Sequence, residues 1–112
     1  MSDASEPIEF HLILDAVEVV AAAQAVRLYI SDAAHQPEIR TIAREVLASL
    51  SSDGEPDAAL TVPLTAPQMK ITYSAVRLLL DDLQREQAQE RETLHAILDK
   101  LPDEHVMNAI RL

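Results

Sequence analysis

The chain is 112 residues long, sets 19 acids against 9 bases for a net charge of −10, and contains no cysteine. That charge repels nucleic-acid phosphates and anionic membranes, and the lack of thiols excludes disulfides, thiol catalysis and cysteine-built zinc sites. One glycine beside 48% apolar residues, nearly all aliphatic, leaves few tight turns and argues for long helices over a sandwich or barrel.

Residues 1–7 are acidic where a signal peptide would be basic, so they read as a flexible tail ahead of a single domain, 8–112, in a cytoplasmic protein. The longest near-apolar run, Val19 to Ile30, is interrupted by Gln24 and Arg27 and is too short to span a bilayer. Ile8–Leu14 alternates at period two, placing Ile8, Phe10, Leu12 and Leu14 on one face of a strand and His11 on the other.

Asp15-Ala-Val-Glu18 then has the spacing of a capping box, in which each end residue satisfies the other's backbone amide. It predicts a helix over 16–33, burying Val19, Val20, Ala23, Val26, Ile30 and Ala33. His35-Gln36-Pro37 breaks that helix, because the residue before proline disfavours the helical region. A second helix, 38–50, carries apolar residues at 39, 42, 43, 46, 47 and 50.

Ser51–Asp57 is the one clear linker, and beyond it the pattern recurs. Leu60, Val62 and Leu64 form one face of a strand over 58–64, in which Pro63 cannot donate to a ladder. Thr65-Ala-Pro-Gln68 repeats the capping box, with Pro67 in the first turn where a missing N–H costs nothing. A helix over 67–83 follows, with Met69, Tyr73, Val76, Leu80 and Leu83 inward. Residues 84–93 hold no large apolar side chain, so a bend or turn is expected near 84–88 before the stripe Leu94, Ile97, Leu98, Leu101 resumes. Pro102 ends it, and Asp103 caps a short last helix with Val106, Met107 and Ile110 inward.

Aligning 14–32 with 64–82 at an offset of 50 gives seven identities in nineteen positions, including Ala25-Val-Arg-Leu28 on Ala75-Val-Arg-Leu78. Chance in so Ala- and Leu-rich a chain gives about two. At an offset of 51, Arg40/Arg91, Val46/Ile97, Leu47/Leu98 and Leu50/Leu101 also match. The expected fold is therefore α-rich α+β: a tandem pseudo-twofold βαα repeat with a two-stranded antiparallel ribbon packed on helices. Repeat one is 8–50, the linker 51–57, repeat two 58–101 and the C-terminal helix 103–112. A lone ribbon is marginal, so helices cover it or a second copy extends it as a homodimer.

The candidate chemistry is sparse. Glu92 and His95 form an E-x-x-H pair one helical turn apart, and Asp99 shares His95's face, the kind of arrangement di-iron bundles use. The matching positions in the first copy are Thr41 and Arg44, so the second half of such a site is missing and a solvated helix face is the expectation. His11, His35, His95 and His105 are scattered, and no glycine-rich phosphate loop exists. Asp81 is placed to pair with Arg85 at i, i+4, next to Asp82 and its counterpart Asp32. Arg27 and Arg77 sit mid-helix at the same repeat position, where snorkelling to solvent is the simpler outcome and interaction the alternative.

With no site chemistry to build on, the expected function is a small, acidic, non-enzymatic protein-interaction or regulatory module, needing no cofactor and recognising a protein through its helical surface. The rival is a small enzyme or ligand-binding protein with a pocket at the pseudo-twofold axis containing Arg27 and Arg77. A weaker third reading is an acidic mimic that fills a basic groove on a nucleic-acid-binding protein.

Overall fold

The computed structural model describes residues 8–31, 37–50, 60–83, 87–102 and 104–110. The tail 1–7, the linker 51–57 and residues Asp32, Ala33, His35, Arg85 and Asp103 fall outside them. The fold is helix-rich α+β, with a two-stranded antiparallel sheet packed on helices. In chain order the elements are β1 (Ile8–Leu14), α1 (Ala16–Ser31), α2 (Pro37–Leu50), β2 (Leu60–Thr65), α3 (Ala66–Asp82), α4 (Ala88–Lys100) and α5 (Glu104–Ala109).

Both capping boxes form, and each sets a helix directly after a strand. Asp15 N donates to Glu18 Oε1 at 2.9 Å, and Glu18 N to Asp15 Oδ1 at 2.8 Å. Thr65 N donates to Gln68 Oε1 at 3.0 Å, and Gln68 N to Thr65 Oγ1 at 3.3 Å. Two amides per helix that would otherwise lack partners are satisfied this way. Proline opens α2 at Pro37 and lies in the first turn of α3 at Pro67, in keeping with its missing donor.

β1 and β2 pair antiparallel, with Phe10 opposite Leu64, Leu12 opposite Val62 and Leu14 opposite Leu60. Leu12, Leu14, Val62 and Leu64 are buried under the helices, and His11, Ile13, Thr61 and Pro63 line the open face. The register slips between Ile8 and Phe10. That shift interrupts the strict alternation, and Ile8, expected inward, is 47% exposed.

The helices interlock across the chain. α1 packs on α3; α2 packs on α1, α3 and β2; α4 packs on α1, α3 and β1. Small side chains meet in the middle: Ala22, Ala25, Val26, Thr72, Ala75 and Val76 are all at most 1% exposed. Small residues let helix axes approach closely, which accounts for the alanines of α1 beyond their helix propensity. The buried Thr72 hydroxyl is not left unsatisfied, since it donates to Gln68 O at 2.8 Å.

This close approach corrects the expected stripe. α1 buries Glu18, Ala22, Ala23, Ala25, Val26 and Tyr29, while Val20, expected in the core, is 67% exposed. Ala23 and Val26 of the expected stripe are buried and Val19 and Ile30 pack half-buried against the core, so the face is rotated towards the alanines and, of the stripe's described residues, only Val20 falls outside it. Ile71, placed outside the stripe of α3, is fully buried. Val106 also departs from expectation, at 43% exposed, although Met107 is buried and Ile110 half-buried.

The break expected near 84–88 is present: α3 ends at Asp82, Leu83 is extended, and α4 begins at Ala88. Arg91 Nη1 donates to Leu80 O at 3.1 Å, satisfying a carbonyl in the last turn of α3 and tying the start of α4 to it. No helix among the described residues is long and apolar enough to cross a membrane.

Candidate interaction groove

α1 is apolar on nearly every side, and only one face can serve the core. A helix of that kind is covered all round or left with an apolar face in water. Here Val17 is 65% exposed and lies one turn before Val20, so the two form a strip on the outer side of α1. They are two of the five large hydrophobic side chains exposed among the described residues; the others are Ile8, Ile13 and Val106.

The strip forms one wall of an open hollow of about 550 Å³, between α1, the end of α3 and the first half of α4. Val17, Val20 and Ala21 face Leu79, Leu83 and Leu94 across it. Gln24, Gln87, Glu90 and Thr93 supply the polar rim. A second hollow of about 280 Å³ adjoins it at the N-terminal end of α1, sharing Val17 and Thr93 and lined also by Asp15, Glu18 and Glu92. The two together make a groove with an apolar floor and four carboxylates, and among the described residues no Lys, Arg or His lines either hollow; Arg91 and His95 line a third hollow that meets the groove at Leu83 and Glu92.

Glu18 is the one buried carboxylate of the groove among the described residues, and its Oε1 takes part in two contacts. It closes the capping box on Asp15 N and accepts from Lys100 Nζ, which also donates to Ile13 O at 3.1 Å. The pair anchors the end of α4 to the junction of β1 and α1. Lys100 remains 40% exposed, so water screens the interaction. At the other cap Gln68 Nε2 donates to the Glu45 carboxylate (Oε1) of α2 at 3.2 Å, a hydrogen bond where the first cap has an ion pair.

Glu92, His95 and Asp99 are exposed on α4, and among the described residues no three His, Asp or Glu side chains gather as a metal would require. His11 is exposed on the open sheet face and His105 on α5. Asp81 and Asp82 are exposed at the end of α3. Arg27 and Arg77 are exposed on α1 and α3, where Arg77 Nη1 donates to Tyr73 Oη at 3.4 Å. Neither arginine lines the groove.

Placing Val20 in the core hides these lining residues in the sequence. The usable signal was Val17, Val20, Ala21 and Gln24 at i, i+3, i+4 and i+7, a second stripe on a helix that already has one.

No protein-family model, no curated protein and no solved structure matches the chain.

Proposed function

We propose that the chain is a tandem βαα repeat about a pseudo-twofold axis, and that it works as a non-enzymatic protein-interaction module binding its partner in the α1–α4 groove. The ladder register supports the repeat. Leu12 pairs with Val62, its own counterpart at an offset of 50, and the pairs Phe10–Leu64 and Leu14–Leu60 exchange with each other under the same offset. Burial agrees: Ala25 and Ala75, Val26 and Val76 are buried, Leu28 and Leu78 half-buried, Arg27 and Arg77 exposed. So does packing, since each repeat's second helix sits on the other repeat's first helix and strand. A fragment of residues 1–54 has only half of that interlocked core and should be unfolded by circular dichroism. A cooperatively folded monomeric fragment would refute the repeat.

The observation that carries the functional reading is the exposed Val17–Val20 strip beside a sizeable apolar hollow. Contiguous exposed apolar surface rimmed by polar groups is the usual mark of an interaction site. Burial of Ala22, Ala25, Val26, Thr72, Ala75 and Val76 where α1 meets α3, with Arg27 and Arg77 exposed, favours the groove over the rival pocket at the proposed axis. A photo-crosslinking residue at Val17, introduced into the full chain in its source cell, should yield a discrete adduct of protein size. The same residue at Thr61 on the open sheet face should not. Adducts from both positions or from neither would contradict the reading.

A further inference from the structure

We infer that the groove receives a basic amphipathic helix of a partner protein, as α3 receives α5 within this chain; this rests on the interaction reading above. Three observations lead there. The first is what covers the counterpart of Val20. At an offset of 50 that residue is Lys70 on α3, and α5 packs on α3 with Met107 buried and Lys70 Nζ donating to Ile110 O. α3 therefore has a helix packed on it and a contact at the position that matches Val20, whereas α1 leaves Val20 bare.

The second observation concerns backbone. The walls are helices, whose amides and carbonyls are already bonded internally, so an extended peptide finds no free ladder to join. A helix, which brings its own backbone bonds satisfied, fits such a groove through its side chains alone.

The third is charge. Among the described residues, Asp15, Glu18, Glu90 and Glu92 line the two hollows with no cation between them; Lys100 offsets only Glu18, and Arg91, in the adjoining hollow, is engaged by Leu80 O. A helix with apolar residues on one face and Lys or Arg along its flanks satisfies both floor and rim. A second copy of this chain does not, because each copy carries −10 and a symmetric contact would set these acids against themselves.

The test uses a fluorescent 16-residue amphipathic helix with Leu and Met at i, i+3, i+4 and i+7 and lysines opposite, and a twin with glutamates in place of the lysines. The lysine probe should bind the full chain at least about tenfold more tightly than its twin. Val20→Ser should weaken it by about tenfold, the effect of one lost buried Val contact, with the melting temperature unchanged. Glu90→Gln with Glu92→Gln should weaken binding and flatten its salt dependence. Equal binding of both probes, or binding that ignores Val20→Ser and follows charge alone, would overturn the inference. So would a concentration-dependent dimer in sedimentation that Val20→Ser abolishes, since that would assign the groove to a second copy. A Val17 crosslink to a protein combined with failure of the lysine probe would reject the basic helix and leave the interaction reading standing.

Discussion

α1 and α3 each start from a capping box and share four buried positions at an offset of 50, Ala22/Thr72, Ala25/Ala75, Val26/Val76 and Tyr29/Leu79, yet their outer faces are opposite in character. α1 presents Val17 and Val20 to water, whereas α3 carries Pro67 and Lys70 at the matching places, half-buried, with α5 packed on the helix. The inner faces are held alike by the close approach they share, and any change there is felt in the core. The outer faces are free to diverge. A solvent-facing valine pair contributes little to stability, and its place beside a hollow is what the proposed partner contact rests on.

The comparison can be broken most violently from inside. Val26→Asp and Val76→Asp each place an unpaired carboxylate at a position that is 0% exposed. Each should cost more than about 4 kcal/mol and abolish the cooperative urea transition. A large cost at one position and tolerance at the other would show that the two helices are not equivalently packed.

A smaller effect separates the two caps. Lys100→Met leaves Glu18, nearly all buried, without its cation, and should cost about 2 kcal/mol in a urea melt, less than a fully buried pair because Lys100 is partly solvated. Glu18→Gln should cost under about 1 kcal/mol, because Gln68 already performs the same backbone role in the other cap. If Glu18→Gln proves the more damaging of the two, the charge itself and not the capping geometry holds this corner. Asp15→Ala and Thr65→Ala should each lose about 1 kcal/mol through an unsatisfied first-turn amide. Val20→Ser, at the small end, should stay within about 0.5 kcal/mol of the parent.

Much of this fold was legible because its signals are local. Strand alternation, two capping boxes, Pro37, the polar stretch before Leu94 and Pro102 each act within a few residues, and the elements fall where they do. The antiparallel pairing followed from having two such strands and no others. The faces of α1 were not legible in the same way. Local hydropathy ranks valine above alanine, but which side of α1 turns inward is decided by how near α3 can come, and that favours Ala22 and Ala25. The register shift between Ile8 and Phe10 is likewise set by pairing with β2 and leaves no mark on β1 itself. The groove joins α1 to residues 55 or more positions away, Leu79 through Leu94, so only tertiary structure could assemble it.

The bare face of α1 is best tested by where a helix lands on the intact chain. Backbone amide resonances should be followed while the lysine probe is added to the full protein at moderate salt. Shifts should concentrate in residues 16–24 of α1 and 87–96 of α4, with α3 around Lys70 and the open sheet face at His11 and Thr61 unchanged. Shifts centred on α3 and α5, or spread over every acidic surface alike, would contradict the assignment of the α1–α4 groove as the docking site.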